Sequence, residues 1–223
     1  VKKMPILQGF PDFETVKKLT KKHAFSEHFV PVFYDIETTG LSRNSTFLYL
    51  VGAVAYEEKN WQMYQWMIED EKEEPELLKI FSEFLQNFSC TIQYNGDSFD
   101  QPYLEARYQI HGLPSPFESL PSLDLYRQLK PVKGLLKLSK MNQPSVEAFL
   151  GIDQRDYCDG AACIRHYKQF ASGKKKEAAD IVLGHNQEDL LGLGKILSML
   201  SYLCLFEEGY EPLNCEFLDE QII

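Results

Sequence analysis

From Phe29 to Glu37 (FVPVFYDIE) apolar and polar positions alternate among β-forming residues, which predicts a strand. Thr46 to Glu57 is a nearly continuous apolar run between polar turns, the pattern of a central buried strand. Asn60 to Asp70 (NWQMYQWMIED) predicts the next strand, paired with it as a hairpin. Glu69 to Glu76 reads as a flexible, solvated acidic loop, and its Pro75 suits the first turn of a helix. Between Pro75 and Phe88 the apolar residues Leu77, Leu78, Phe81, Phe84, Leu85 and Phe88 keep helical spacing, so this is an amphipathic helix.

Cys90 to Tyr94 predicts a short strand ending at Asn95-Gly96. Helix is expected from Phe99 to Ile110, stopped by Gly112 and Pro114, and a short strand or helix over Leu123 to Leu129. One or two helices, broken near Pro144, are expected over Leu135 to Leu150, another over Gly160 to Ala171, and a last long one from about Ile181 to Leu205. The order is three strands, a helix, a strand, then helices. It describes an α/β protein with an antiparallel start to its sheet and a helical second half. No internal repeat and no dividing linker is seen. The organisation read is a lead-in segment at 1–29, one domain at 30–206 and a tail at 207–223. The lead-in carries Lys2, Lys3, Lys17, Lys18, Lys21 and Lys22 around a short helix near Phe13 to Lys22, read as a solvated face.

Composition narrows the class. At 223 residues, 44% hydrophobic and 25% charged, the chain is globular with a real core. Its longest apolar run, Phe47 to Tyr56, is too short to span a bilayer, so no membrane role is expected. The N-terminal lysines have no apolar run behind them, so no signal peptide is read and the expected location is cytoplasmic. Five scattered cysteines argue against a disulfide framework. Cys158, Cys163 and His166 have loose spacing and no completing Cys/His pair, so packing cysteines are the reading there. A net charge of −10 counts against a protein that coats nucleic acid electrostatically. It leaves room for a metal-dependent nuclease, because bound cations change the local sign.

Three motifs carry candidate chemistry. In Asp35-Ile36-Glu37-Thr38-Thr39-Gly40 strand alternation turns Asp35 and Glu37 to one face. Two neighbouring acids at an apolar strand end repel each other unless neutralised, and a hard divalent cation does this through oxygen ligands. An ordinary solvated strand end is the balanced alternative. In Tyr94-Asn95-Gly96-Asp97-Ser98-Phe99-Asp100 a strand ends, a turn follows and an acid starts a helix. Asp100 there fits a helix dipole, and Asp97 competes with it as an N-cap. In His185-Asn186-Gln187-Glu188-Asp189, entering an apolar helix, His185 and Asp189 are four apart and share a face.

Together, DIETTGL, YNGDSFDQPYL and HNQEDLLGL resemble the three exonuclease motifs of the DEDD superfamily, over about Phe33 to Leu200. The resemblance is greatest to the bacterial YprB-like exonuclease group, with its Asn-Gly turn before the second acid and His-Asn pair before the last. Leu123-Asp124-Leu125-Tyr126 and the stretch from Leu138 to Gly151 are further similar pieces. The resemblance implies a ribonuclease H-like fold, a mixed sheet flanked by helices. It implies a 3′-to-5′ exonuclease on DNA or RNA, most simply on a single-stranded end, with two Mg2+ or Mn2+ ions. Asp35, Glu37, Asp100 and Asp189 would hold the ions, and His185 would take the proton of the attacking water. Three residues separate His185 from Asp189 where the histidine-type branch has four, so His185 would approach the water from a different angle.

Thr38, Thr39, Gly40 and Leu41 would line the terminal nucleotide, Gly40 by close backbone approach and Leu41 as a wedge, with Asn95 and Phe99 shaping the same pocket. Core packing is the competing role for Leu41 and Phe99. Arg127, Lys130, Lys133, Lys137 and Lys140 suggest a phosphate-tracking strip, but Pro131 and Gly134 interrupt it, and solvated cations are the better reading. Two other functions stay open: a structure-specific endonuclease with the same site, and a catalytically idle nucleic-acid-binding or scaffold domain. No polymerase or helicase segment is read, so a helicase or other processing partner would be a separate chain.

Overall fold

The computed structural model describes residues 1–6, 8–20, 29–152, 158–173, 175–201 and 203. The expected 207–223 tail lies outside them. Six strands form one sheet: β1 (Lys2–Pro5), β2 (Pro31–Thr38), β3 (Leu48–Glu57), β4 (Asn60–Met67), β5 (Cys90–Gln93) and β6 (Ser122–Asp124). Their order is β1-β4-β3-β2-β5-β6. β1, β4, β3 and β2 are antiparallel, whereas β5 and β6 join β2 in parallel. This is the mixed sheet expected of a ribonuclease H-like fold. The helices are α1 (Phe13–Thr20), α2 (Glu74–Leu85), α3 (Asp100–Ile110), α4 (Leu125–Leu129), α5 (Gln143–Phe149), α6 (Gly160–Gly173) and α7 (Lys176–Leu197).

Strand alternation sorts the core. Tyr34 and Ile36 of β2 pack with Phe81 and Tyr103. Phe33, one pleat over, packs with Val54, Leu190 and Leu193 on the other face. Asp35 and Glu37 share the parity of Phe33, so they face α7. Along α7, Val182, His185, Asn186, Leu190, Leu193 and Ile196 are buried at spacings of three and four residues. This stripe lies against β2 and β3. Two polar residues therefore sit inside an otherwise apolar helix face.

Several expectations are corrected. The lead-in adds β1 to the sheet beside β4, and α1 buries Val16 and Leu19 against the core. Its four described lysines stay exposed, as expected. Pro144 opens α5 instead of breaking a helix, since a first-turn proline gives up no internal hydrogen bond. The stretch from Leu123 to Leu129 is both elements in succession, β6 ending and α4 beginning. α7 starts at Lys176, five residues before the expected Ile181, so the His185–Asp189 pair sits mid-helix and not at an entrance.

The acidic loop is not simply solvated. Glu74 is fully buried, receives Arg107 Nε at 2.8 Å and a second guanidinium nitrogen, and meets His111 Nε2 at 2.7 Å. It also accepts the Leu48 N–H at 2.8 Å. A buried carboxylate needs this many partners to offset its lost hydration. The cluster ties the start of β3 to α2 and α3. Asp70, by contrast, is exposed and caps the short turn before α2 with Glu73.

Candidate active site

β2 delivers the first two acids. Asp35 pairs across the sheet with Gly52 of β3, and Gly52 with Gln65 of β4. The register breaks between Glu37 and Thr38, where the strand turns out of the sheet. α7 supplies the third acid from above. One carboxylate oxygen each from Asp35, Glu37 and Asp189 lie within 4.8 Å of one another. His185 Nε2 lies 3.5 Å from Glu37 Oε1 and 3.4 Å from Asp189 Oδ2, between the two.

The closeness of α7 to the sheet depends on Gly52. A Cβ at this position would stand 2.0 Å from Asn186 Oδ1 and 2.7 Å from Leu190 Cδ1. With hydrogen there instead, Asn186 descends onto the strand and donates Nδ2 to Asp35 Oδ2 at 2.9 Å. Gln65 Nε2 fixes Asn186 by donating to its Oδ1 at 3.0 Å and to the Leu183 carbonyl at 2.7 Å. Asn186 and Gln65 are both essentially inaccessible to solvent. Their chain of amides orients the Asp35 carboxylate and occupies one of its oxygens. Sequence reasoning quoted Asn186 inside a motif but gave it no such role, and it missed Gln65. The available signal was a glycine within an apolar strand, which marks a close backbone approach.

Asp100 opens α3 nearby and is 8% exposed. It is not within the group of three oxygens, but its charge is felt at Asp35. Burial, then Asp189, Glu37 and Asp100 in that order, push the Asp35 carboxyl well above its ordinary range, and the Asn186 hydrogen bond only partly opposes them. Burial, opposed by hydrogen bonds from its own and the Ile36 backbone N–H and helped by the charges of Asp124 and Asp189, lifts Asp100 to about 7. Carboxylates forced together in this way favour protons or a cation. The donor set is hard oxygen, which fits Mg2+ or Mn2+.

A family model described as the RNase H superfamily matches residues 32–201, which include all four acids and His185. The chain belongs to the RNase H superfamily. It is also similar to a DNA polymerase of Methanocaldococcus jannaschii, 48% identical over 46 residues, which are 21% of this chain and 3% of that protein. The solved family B DNA polymerase from the hyperthermophilic archaeon Pyrobaculum calidifontis superposes with a TM-score of 0.63 at 13% identity. That match covers 79% of this chain and 25% of the polymerase. At such identity the likeness is one of fold. The chain spans a quarter or less of either polymerase. Family and fold together make this an RNase H-like domain.

Within the RNase H-like site the remaining candidates fall out differently. Asp97 does not cap α3, whose N-cap position is Phe99 with no side-chain bond. Its carboxylate is consumed by Gln93 Nε2 at 2.9 Å, Arg127 Nη1 at 2.7 Å and the Ser122 hydroxyl. Arg127 is thereby tied down and is not part of a free cationic strip. Asp124 is 2% exposed and holds the Asn95 N–H at 2.7 Å and the first N–H groups of α4. This fixes Asn95 in a left-handed conformation, φ 59°, which an asparagine tolerates.

Thr38 Oγ1 donates to the Gly40 carbonyl at 2.9 Å, and the Thr39 hydroxyl bridges to the Phe47 backbone. Both hydroxyls brace the turn after β2. A Cβ on Gly40 would lie 2.9 Å from Thr46 Cγ2, so the glycine closes this turn. Leu41 is 85% exposed, which overturns core packing as its role. Phe99 is partly buried against Tyr103, ring centres 5.5 Å apart. No helix among the described residues is long and apolar enough to cross a membrane.

Proposed function

We propose that this domain is a divalent-metal-dependent exonuclease that shortens DNA or RNA from the 3′ end. The observation that carries the reading is the meeting of Asp35, Glu37 and Asp189 within 4.8 Å, with His185 between two of them. Asp35, Glu37 and Asp189 would hold Mg2+ or Mn2+, and Asp100 would contribute to a second ion. When bound, such ions supply Lewis-acid charge at the phosphate and ease loss of a proton from water. Asn186 orients Asp35 so that one oxygen stays available.

His185 would take the proton of the attacking water as the new P–O bond forms and the bond to the leaving 3′ oxygen breaks. The imidazolium it becomes is flanked by the carboxylates of Glu37 and Asp189, which match its charge. Leu41, protruding from the turn beside the acids, would wedge against the terminal base, with Thr38, Thr39 and Gly40 shaping the turn that presents it. Asn95 and Phe99 would border the same pocket from the α3 side. The 3′-to-5′ direction is supported by the motif resemblance, and DNA as a first substrate by the DNA polymerases to which the domain is similar.

The test is a digest of 5′-labelled single-stranded DNA, single-stranded RNA and duplexes with added Mg2+ or Mn2+. A ladder receding one nucleotide at a time from the 3′ end is expected. Internal fragments without a ladder would favour the endonuclease reading. An intact substrate under every condition would leave an idle binding domain.

A further inference from the structure

The acid group shares Glu37 with a second set of ligand atoms of different chemistry. A carboxylate oxygen of Glu37, a ring nitrogen of His185 and Sγ of Cys163 lie within 4.8 Å of one another. They come from three separate elements, β2, α7 and α6. Cys163 is fully buried, and the His185 side chain is nine-tenths buried. His185 Nε2 and Glu37 Oε1 are 3.5 Å apart. Two ligands on one tetrahedral zinc ion, with bonds of about 2.0–2.3 Å, stand roughly 3.3–3.7 Å apart.

Two further observations bear on this cluster. Among the described residues, His185 Nδ1 is buried with no hydrogen-bond partner, so the ring is not committed to a structural contact on that side. The Tyr49 hydroxyl donates to Cys163 Sγ at 3.4 Å, so the sulfur already serves as an acceptor. One thiolate, one carboxylate and one neutral imidazole together cancel a charge of two, which is what a buried site requires.

We propose that Glu37, His185 and Cys163 form a site for a thiophilic divalent cation of the Zn2+ or Cd2+ kind, with solvent completing the coordination. On binding, the sulfur–metal bond forms as the thiol proton leaves to solvent. Mg2+ gains nothing from sulfur, so this site and the all-oxygen group select different ions. Glu37 belongs to both groups and His185 is the base of the proposed cleavage, so occupancy here withdraws a hard-ion ligand and that base together. Antagonism of Mg2+-dependent activity by zinc follows from that sharing, and this consequence rests on the nuclease reading. The binding itself does not.

Cd2+ titrated into the full chain, with Mg2+ present in excess, tests the site through the ultraviolet sulfur-to-cadmium charge-transfer band. One equivalent is expected to raise the band. Cys163→Ser should abolish it and weaken Cd2+ binding at least about tenfold, since losing even an outer-shell partner costs that much. His185→Ala should weaken binding while keeping the band. Cys158, whose sulfur lies beside Cys163, is the control, and Cys158→Ser should keep band and affinity. If Cys163→Ser melts early, Cys163→Ala takes its place. Cd2+ binding without the band in the native chain, or a band that survives loss of Cys163, overturns the proposal. No activity is read, so this result stands or falls separately from the nuclease reading.

Discussion

Asp35→Asn removes one negative charge from a set of crowded acids while keeping an oxygen to accept the Asn186 amide. Metal-dependent cleavage should fall at least ~10³-fold, about 4 kcal/mol at ~1.4 kcal/mol per tenfold. The metal-free variant should melt higher than the native protein at neutral pH, each ~1 kcal/mol of relieved repulsion raising Tm by roughly 2–4 °C. A calorimetric scan in chelator beside the cleavage assay checks both, and a variant that melts lower would show that the carboxylate is structural. His185→Ala should reduce turnover ~10²–10⁴-fold, the usual contribution of a general base. Mg2+ affinity should barely change, because imidazole is a poor ligand for that ion. A merely structural His185 would give the opposite: a lower melting temperature with unchanged per-molecule turnover and pH profile. At this scale the sequence displayed Asp35 and Glu37 openly, since strand alternation alone puts them on one face. Residue pattern alone left Asp97 competing with Asp100, and the motif resemblance favoured Asp100; what consumes Asp97 is Arg127, 30 positions away.

Elements decide how near α7 comes to the sheet. Gly52→Ala places a methyl carbon where Asn186 Oδ1 stands, 2.0 Å away, with backbone of the central strand behind it. The helix must lift or Asn186 must swing out, and either breaks the Asn186–Asp35 bond. Overpacking of this kind costs typically ~1–3 kcal/mol. A lower Tm together with weaker Mn2+ binding is expected, measured by melting and by metal titration. A variant that loses stability but binds Mn2+ as before would separate the helix position from the site. The acidic segment before α2 teaches the same point. Its run of carboxylates reads as solvated because the residues that bury Glu74 lie 33 and 37 positions away, on and after α3. Periodicity reports which face of an element is apolar, not which distant cation will meet one acid.

For the whole molecule, the acid cluster links folding to protons and metal. Asp100 rises from its ordinary 3.8 to about 7 in the folded chain. A carboxyl raised on folding contributes stability when protonated. That contribution is complete below about pH 4 and is lost as pH rises towards about 7. Metal-free protein should therefore lose stability across that window, and Asp100→Asn should flatten the loss, as read by melting temperature against pH. Loading with Mg2+ or Mn2+ should reverse it at neutral pH. An ion at 100 times its Kd adds about 2.7 kcal/mol if it binds only the folded state. Asp189→Asn should lose most of this gain. Equal stabilisation of native and variant proteins by the metal would place the ion elsewhere. A net charge of −10 sets a further condition. The chain has little general attraction for a polyanion, so the substrate's hold must come from the site and its ions.

The sequence by itself determined the alternating β2 that carries Asp35 and Glu37, the buried β3, the hairpin to β4 and the apolar stripe of α7. These follow from the period of apolar residues, which is local and survives without knowledge of the fold. Only the tertiary structure decided that β1 adds to the sheet, that Glu74 is an interior ion, and that Cys163 stands beside Glu37 and His185. It also decided that Gly52 admits Asn186 to Asp35. Each of these is a meeting of residues far apart in the chain. Such meetings depend on helix-to-sheet distances of a few ångströms, and no pattern of neighbouring residues encodes those distances.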